Sequence, residues 1–585
     1  MPICAGEWAR PGGRGSKIVS RCPGRSRLLI DSTGRWQIIM RIDLFWIDPA
    51  AGPLPAWEMG HVCRVGGDPR RLAERVAERE PGADHILFWD AALGAPDASR
   101  ILAATEIPGD VRHAGLALGM GGLPRAIDFV DPVWRFNRDP DPTIVATSWR
   151  LSLRACLARA VVLDRLGGPD PHFETLAGAS LELGHRWIRG GALMRHTAGL
   201  LPAIPTLPAP ALTPEDEMRF LRLRYGRMWA AWACRRRGGS LMETWRALRR
   251  PQPSGIPATG EAMHPAELPV PGAEIVSRPT VSILIPTLER YPHLFNLLAQ
   301  LREQTVRPLE IVVIDQTELS GRDTNWPARF TDLPLRVIWR DVAGQCSSRN
   351  AGLAMVRGEM VLFLDDDDEV QPDLIARHLA FLAEYGADGS CGVAEEVGAG
   401  ALPPEFTLVR DSDVFPTNNS LLRTDALLGS GLFDLAYEKG ERADHDLGMR
   451  LYLSGATLVL NPAASVVHLH APRGGLRRHK ARVITRSSSR ASIWHRQFLA
   501  PTEAYLMYRF FTSAQAREAA LIRTIGTLRG SRAGAGRWLR AAIMTVLLPD
   551  TWRQNKARLA MGRTMLDGFP AIPQYEPAAT EELTA

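Results

Sequence analysis

The sequence has no apolar run that approaches the ~20 residues needed to cross a bilayer. The longest run near the C-terminus, residues 541–548, is short and is flanked by Arg540 and Asp550. Residues 1–39 also lack an apolar stretch of the kind found in signal peptides. The sequence therefore predicts no membrane-spanning segment, and we expect a cytoplasmic protein that could lie peripherally on the inner face of the membrane.

Cysteine is also scarce. The chain of 585 residues contains 7 cysteines, which are scattered and form no CxxC pair. This pattern argues against a disulfide framework or a zinc knuckle and fits a reducing compartment. The net charge of +6 is only mildly basic for this length. Such a balance does not require nucleic acid, and we predict no nucleic-acid partner.

Two proline-rich segments, residues 200–214 and 250–274, predict extended linkers, because proline removes backbone donors and restricts the chain. Residues 1–39, rich in Gly, Arg and Ser, are expected to be a disordered leader or to precede a true start at Met40. The predicted segments are the leader (1–39), an N-terminal domain (40–200), linkers with a basic helical stretch (201–277), a large domain (278–500) and a helical, basic C-terminal region (501–585).

From Thr280 onward, short apolar runs alternate with spacers of helical length. This pattern predicts βαβ units and a mostly parallel α/β sheet covered by helices on both faces. In such sheets ligands bind beyond the carboxyl ends of the strands. The polar residues expected there are Pro286 and Thr287, Asp315, and the acidic run 365–368.

The acidic run places four aspartates directly after an apolar strand. Adjacent carboxylates raise one another's pKa, and a bound cation would relieve their repulsion. Oxygen ligands suit Mg²⁺ or Mn²⁺, and Asp365 and Asp367 face the same way in an extended segment. The alternative is a solvated acidic loop.

Residues 280–470 resemble the family 2 glycosyltransferases, which have the GT-A fold. Seven segments occur in the order that the family shows: SILIPTLER, VVIDQT, GQCSSRNAGLAMVRGE, FLDDDDE, NNSLLR, ERADHDLGMRLYLSG and VVHLHAP. The resemblance implies an inverting enzyme that binds a nucleotide-sugar donor with Mn²⁺ or Mg²⁺.

The resemblance also implies roles for individual residues. The residues that would bind the nucleotide-sugar are Pro286, Thr287, Glu289, Asp315, Arg349, Asp365 and Asp366. The metal would be held by Asp365, Asp367 and His468, with His470 nearby on the same strand face. Many relatives have a second acid after Asp315, and here Gln316 leaves the identity of the nucleotide open.

Inverting transfer needs a base for the acceptor hydroxyl. The family's usual Glu-Asp pair becomes Ala443-Asp444 here, and Asp444 is the predicted base. Asp446 is the rival, but two residues apart on a helix they point in different directions. Asp446 can instead pair with Arg450 one turn later. The basic stretch 471–482 could close over the diphosphate or be a solvated loop.

The N-terminal half repeats part of this pattern. HILFWDAAL matches the acidic strand with Asp90 over Asp365, and Ala92 stands where Asp367 would be. Residues 169–191 match residues 433–455 without a gap, so that Ser180 replaces Asp444. The sequence predicts a second, degenerate GT-A-like domain that positions the acceptor or mediates assembly. The alternative is coincidental α/β similarity.

In the C-terminal region, residues 505–511, 537–548 and 551–563 alternate basic and apolar residues, as in helices that lie on an anionic membrane. The alternative is packing on the domain. The predicted function is transfer of a sugar to a saccharide or lipid-linked acceptor in cell-surface glycan synthesis. The alternatives are a metal-dependent phosphohydrolase and a non-catalytic carbohydrate-binding or scaffold protein.

Overall fold

The computed structural model describes residues 27–30, 36–125, 135–204, 210–236, 240–250, 253–256, 260–269, 279–398, 400–471, 494–528 and 535–576. Within the predicted leader, strands β1 (Arg27–Ile30) and β2 (Trp36–Ile39) form an antiparallel hairpin. The prediction of disorder is therefore wrong for this part, because the short apolar runs RLLI and WQII pair with each other.

The first half of the chain builds an α/β unit. Its further strands are β3 (Ile42–Ile47), β4 (Val62–Val65), β5 (His85–Asp90), β6 (Val111–His113), β7 (Ala146–Thr147), β8 (Ala155–Arg159) and β9 (Met194–His196). Its helices are α1 (Pro69–Ala77), α2 (Ala98–Thr105), α3 (Ala160–Leu166), α4 (Leu176–Arg189), α5 (Pro214–Arg224), α6 (Arg227–Arg236) and α7 (Leu241–Arg249).

Helices α5 to α7 belong to the core of this first unit. Met218, Phe220 and Leu221 of α5 are buried in the same apolar cluster as Phe88 of β5 and Trp187 of α4. The basic helical stretch predicted between the two linkers is thus present as α5 to α7, but its packing on the first unit was not predicted. The flanking prolines and the arginine-rich composition hid an apolar face that packs on the domain.

The second half contains the strands β10 (Val281–Thr287), β11 (Glu310–Asp315), β12 (Leu335–Trp339), β13 (Met360–Leu364), β14 (Asp368–Val370), β15 (Gly389–Glu396), β16 (Arg410–Asp411), β17 (Asn419–Arg423) and β18 (Leu458–His468). Its helices are α8 (Tyr291–Arg302), α9 (Gln345–Leu353), α10 (Leu374–Tyr385), α11 (Ala426–Ser430), α12 (Ala443–Leu453), α13 (Pro501–Phe510), α14 (Ser513–Gly526) and α15 (Ala535–Gly568).

The strands of the second sheet run in the order β12-β11-β10-β13-β17-β15-β18-β14, and β16 pairs with β18. The pairs among β10 to β13 are parallel, as predicted from their apolar runs. The pairs of β17 with β13 and β15, and of β18 with β14 and β16, are antiparallel. The sheet is therefore mixed rather than mostly parallel, because an apolar run does not encode strand direction.

The first sheet has the order β4-β3-β5-β8-β6-β9-β7. This order matches β11-β10-β13-β17-β15-β18-β16 of the second sheet, and every matched pair has the same parallel or antiparallel direction. The first sheet lacks counterparts of β12 and β14 in the described part of the chain.

The C-terminal helices α13 to α15 pack on the second unit. Tyr505 and Leu506 are buried in its apolar core, and Met507 is buried among the helices themselves. The prediction of a membrane-facing surface is therefore wrong for residues 505–507. Among the described residues, no helix combines the length and the apolar character that crossing a membrane would require. The predicted α/β fold class with a helical C-terminal region is confirmed.

Candidate active site

The carboxyl ends of β10, β11 and β13 meet at one edge of the second sheet, because these strands are parallel neighbours. This arrangement brings Thr287, Asp315 and the acidic run to the edge that sequence analysis predicted. Thr287 Oγ1 donates a hydrogen bond of 2.7 Å to Asp366 Oδ2. The loop after β10 is therefore tied directly to the loop after β13.

Protein cations surround the acidic run. Arg290 donates to Asp366 Oδ1 and to Asp367 Oδ1, both at 3.0 Å. Arg349 donates to Asp365 Oδ1 at 2.8 Å. Sequence analysis missed Arg290, although it directly follows Glu289 in the predicted nucleotide loop. Part of the charge that we assigned to a bound cation is thus compensated by two arginines.

Burial and these neighbours determine the protonation of the run. Burial raises the pKa of Asp366 to about 7, even though Arg290 opposes this shift. Burial likewise raises the pKa of Asp368 to about 7. Burial also acts on Asp367, but the charges of His468 and Arg290 outweigh it and lower the pKa of Asp367. Asp367 is therefore an ionised carboxylate at neutral pH.

His468 lies against the same loop because β18 pairs with β14 and sets His468 opposite Asp368. Its Nδ1 lies 2.9 Å from Asp368 Oδ1 and 3.9 Å from Asp367 Oδ1. Burial would lower the pKa of His468, but the contact with Asp368 and the nearby carboxylates raise it to about 9. Without a bound cation His468 is therefore a third positive group in the cluster, and it would lose a proton when it binds a metal ion.

The predicted metal ligands come together. One candidate ligand atom each from Asp365, Asp367 and His468 lies within 4.8 Å of the others. The contact of Asp368 with Nδ1 leaves Nε2 of His468 available, which is the arrangement that orients metal-ligating histidines. Two carboxylates and one imidazole suit Mn²⁺, and less naturally Mg²⁺. These residues therefore fit a divalent cation.

The backbone holds Asp367 in place. The amide of Ala471 donates to Asp367 Oδ2 at 2.7 Å, and the amide of Leu469 donates to the carbonyl oxygen of Asp367 at 3.0 Å. His470 has a left-handed backbone with φ 53°, and its ring lies 4.5 Å from that of His468. The prediction for the basic stretch 471–482 falls, after Ala471, outside the described residues.

Asp315, predicted to meet the nucleotide, is fully buried. Its Oδ2 accepts hydrogen bonds from the Tyr291 hydroxyl at 2.8 Å and from Trp326 Nε1 at 3.1 Å. The amide of Thr317 donates to its Oδ1 at 2.9 Å. In this structure Asp315 organises the loops after β10 and β11, and sequence analysis missed its two aromatic partners.

The other predicted nucleotide residues lie beside it. Pro286 is at the end of β10, and Glu289 has a left-handed backbone with φ 59°. The amide of Glu289 donates to Thr317 Oγ1 at 3.2 Å. Gln316 Oε1 accepts the amide of Gly344 at 2.7 Å, so this amide side chain holds the entry to α9.

Helix α12 carries both candidate bases. The Asp444 side chain lies in the first turn and is 38% exposed. Burial would raise its pKa, but the neighbouring His445 and Arg442 keep it well below the usual range. Asp446 is completely buried and pairs with Arg450 at 2.7 Å. Only Asp444 of the two is therefore accessible to a substrate.

A clamp joins α9 to the segment before α12. The Glu438 carboxylate accepts the amides of Cys346 and Ser347 at 2.8 and 2.9 Å, at the first turn of α9. Asn350 of the same helix exchanges two hydrogen bonds with the backbone of Phe433. Sequence analysis missed Glu438. Because α9 also carries Arg349, the clamp links the acidic run to the helix that bears Asp444.

The family model of glycosyl transferase family 2 matches residues 282–417. Residues 282–417 therefore match glycosyltransferase family 2. The matched segment runs from β10 to the residues before β17 and includes the acidic run. Asp444 and His468 lie beyond the matched segment; the contacts of His468 with the acidic run place it in the site, whereas the role of Asp444 stays a prediction.

Several known proteins resemble part of this chain. YwdF of Bacillus subtilis, an uncharacterised glycosyltransferase, is 33% identical over 17% of this chain and 36% of YwdF. The GalNAc(5)-diNAcBac-PP-undecaprenol beta-1,3-glucosyltransferase of Campylobacter jejuni is 27% identical over 31% of this chain and 59% of that protein. The solved structure of Staphylococcus aureus TarS 1–349 with UDP-GlcNAc is 15% identical, covers 51% of this chain and 100% of that one, and has a TM-score of 0.33. The match covers less than two thirds of the length of YwdF and of the Campylobacter jejuni enzyme.

Proposed function

We propose that this protein transfers a sugar from a nucleotide-sugar donor to a saccharide or lipid-linked acceptor, with inversion at the anomeric carbon. The observation that carries the proposal is the convergence of Asp365, Asp367 and His468 at the carboxyl end of β13, inside a family 2 fold. The strand edge where they meet is the place where α/β sheets bind their ligands.

The residues act on two parts of the reaction, the departing diphosphate and the attacking hydroxyl. A bound Mn²⁺ or Mg²⁺, held by Asp365, Asp367 and His468, would neutralise negative charge on the departing diphosphate. Arg290 and Arg349 add positive charge at the same loop. Asp444 would accept the proton of the attacking hydroxyl, since it is exposed and ionised at neutral pH.

Pro286, Thr287, Glu289 and Asp315 would frame the nucleotide from the loops after β10 and β11, with Asp365, Asp366 and Arg349 on its phosphate side. Asp315 would act from beneath the surface, by fixing Tyr291 and Trp326. The nucleotide would then bind against the aromatic loop that Asp315 holds in place.

A screen of nucleotide-sugars for Mn²⁺-dependent release of nucleotide tests this proposal. The Asp444→Asn variant should lose most of the release, and EDTA should abolish it. Asp425→Asn is the matched control, because Asp425 pairs with Arg423 on the surface outside the site. Release that withstands both EDTA and the Asp444→Asn substitution would defeat the proposed mechanism.

The acceptor class is proposed from a relative and a surface. The Campylobacter jejuni relative is named for an undecaprenol-linked substrate. Helix α15 exposes Trp538, Leu539, Ala542 and Val546, which lie on one helical face. Such a face suits the headgroup region of an anionic membrane, so a lipid-linked acceptor would be used at the inner membrane face.

Flotation with phosphatidylglycerol vesicles tests the membrane contact. Wild-type protein should float with the vesicles, and Trp538→Ser with Val546→Ser should not. Trp245→Ser is the control, since Trp245 is exposed on α7 of the other half of the chain. Wild-type protein that stays at the bottom of the gradient would remove the membrane contact from the proposal.

No observation favours the alternatives. A metal-dependent phosphohydrolase commonly uses two metals, whereas the described residues contain one cluster able to hold a metal ion. A purely carbohydrate-binding protein would not need an accessible, ionised Asp444 in addition to a metal site.

A further inference from the structure

The two halves of the chain share internal contacts as well as strand order. In each half a buried acid pairs with the arginine four residues later on the same helix, and this arginine also donates to a carbonyl oxygen of the preceding helix. The residues are Glu182, Arg186 and Leu166 in the first half and Asp446, Arg450 and Ser430 in the second. Each residue of the second half follows its counterpart in the first half by the same number of positions along the chain.

A second contact network is repeated in the same way. Asp110 accepts the amide of Leu193 and pairs with an arginine of β8, and Asp388 accepts the amide of Thr457 and faces an arginine of β17. Coincidental α/β similarity would not reproduce side-chain contacts at matched positions. The two halves are therefore copies of one unit.

The repeat extends into the helical segments that follow each sheet. Asp170 pairs with Arg219 of α5 at 2.5 Å, and Asp434 accepts the hydroxyl of Tyr505 of α13 at 2.5 Å. Ile256 and Ile572 then cover equivalent left-handed glycines, Gly167 with φ 76° and Gly431 with φ 74°. Each copy thus consists of a sheet unit and a helical tail that returns to the sheet.

The copies contact each other through exchanged, equivalent residues. Gly191 of the first copy lies against the carbonyl oxygen of Val409 in the second, and Gly455 of the second lies against the carbonyl oxygen of Val145 in the first. Gly191 corresponds to Gly455, and Val145 corresponds to Val409. Residue i meeting j of the other copy while j meets i is the signature of a two-fold, isologous interface.

Apolar packing and polar contacts both stabilise this interface. Met449 and Tyr452 of α12 pack into the apolar core of the first copy. Asp411 accepts the amide of Met194 at 2.7 Å and pairs with Arg195 at 2.6 Å, and both charged side chains are buried. One end of α12 is therefore held by the first copy, while the other end carries Asp444.

The first copy does not have the reacting groups of the second. Ala92 stands in place of Asp367, and Ser180 stands in place of Asp444. The Ser180 hydroxyl is buried and donates to the carbonyl oxygen of Leu176 at 2.6 Å. Asp90, the counterpart of Asp365, pairs with Arg154 at 2.6 Å.

We infer that residues 40–256 and 280–572 form an internal pseudo-dimer, in which the non-catalytic first copy positions α12 of the second. Tyr452 and Gly455 are positioning residues in this arrangement, because they lie at the end of α12 that the first copy holds, and Gly191 belongs to the same interface. The interface follows from the contacts alone, whereas the positioning of Asp444 also rests on the proposed function.

Four glycine variants test the interface. Gly191→Ala and Gly455→Ala would place a methyl group 2.8 and 2.7 Å from the carbonyl oxygen of the other copy. Gly226→Ala and Gly398→Ala are the matched controls, since they have left-handed backbones with φ 86° and 83° but no atom within 4 Å of the added group. Both interface variants should lower Tm by several degrees more than both controls do.

The same variants test positioning. Gly191→Ala should lower kcat on the order of tenfold relative to Gly226→Ala, with the donor KM unchanged, because small displacements of reacting groups are costly. A Gly191→Ala protein with lowered Tm and intact kcat would overturn the positioning role. Interface variants no less stable than their controls would overturn the pseudo-dimer itself.

A second substitution covers the case in which the glycine variants do not fold. Asp411→Asn keeps one acceptor oxygen for the amide of Met194 but loses the charge that faces Arg195. Hydrogen exchange should then increase at β9 of the first copy, and exchange unchanged there would also overturn the interface. These stability and exchange measurements do not require sugar transfer, so failure of the proposed function is seen separately.

Discussion

Asp366 should make the protein less stable as pH rises when no divalent cation is bound. Its side chain is buried between Thr287 and Arg290, and burial raises its pKa from an ordinary value of 3.8 to about 7. A carboxyl with a raised pKa contributes its full stability below pH ~4, and this contribution is lost as the pH rises through 7. A difference of about three pKa units corresponds to about 4 kcal/mol.

The Asp366→Asn variant isolates this contribution, because asparagine cannot ionise. In EDTA, we expect the free energy of unfolding of the variant to increase relative to wild type by about 4 kcal/mol between pH 4 and pH 8. Thermal and urea unfolding at a series of pH values measure the difference. Asp373→Asn is the control, since Asp373 pairs with Arg377 outside the acidic run.

Saturating Mn²⁺ provides the second arm of this experiment. A cation beside Asp366 favours its ionised form, so the pH-dependent difference between variant and wild type should shrink when Mn²⁺ is added. A difference that stays constant with pH in EDTA, or that decreases, would refute the assignment of a buried carboxyl group with a raised pKa at this position.

Four further substitutions have distinct expected outcomes. Asp444→Asn should lower kcat by roughly 10²–10⁴-fold. Asp446→Asn should lower Tm more than Asp444→Asn does, because it breaks a fully buried pair with Arg450. Equal effects of the two substitutions on kcat would contradict this assignment of the base. Asp367→Ala should abolish the rise in Tm that Mn²⁺ gives to wild type, and a retained rise would contradict its role as a ligand. Glu438→Gln should weaken the clamp at the first turn of α9 and lower kcat with little change in Tm; unchanged kcat would show that the clamp is not coupled to the base.

The strands around the site could be predicted because they are buried on both faces. The run MVLFL is continuously apolar and VSILI is apolar except for Ser282, and the structure places β13 and β10 on them. Asp365 and Asp367 followed from the same logic, since they lie directly after a strand, whereas His468 was predicted as a ligand only by the family resemblance. Strand ends are the positions where sequence pattern and ligand chemistry coincide.

Two other residues of the site, Arg290 and Glu438, could not be predicted from the sequence pattern. Arg290 is a single arginine in a loop, and its partners Asp366 and Asp367 lie on another strand end far along the chain. Glu438 reaches the first turn of α9 from a segment that follows it by many residues. Contacts of this kind depend on how loops meet in three dimensions, and neither periodicity nor spacing encodes them.

The N-terminal half was matched to the second half in sequence over its strand β5 and helix α4, but its helical tail was predicted only as a helical segment that connects two domains. The match failed there because α5 and α13 keep equivalent positions with unlike residues. Arg219 stands on α5 where Tyr505 stands on α13, and each satisfies the same aspartate of its own copy. A conserved geometry with altered chemistry is visible only in the coordinates.

The buried pair of Asp411 and Arg195 has a consequence for how this chain can change. The counterpart of Asp411 in the first copy is Thr147, and the counterpart of Arg195 in the second copy is Val459. The ion pair therefore occurs on only one side of the interface. Two identical subunits would have to accept every substitution twice, on both sides of their contact. A single polypeptide that supplies both sides can place an acid on one and a base on the other, and each side can adapt to its neighbour independently.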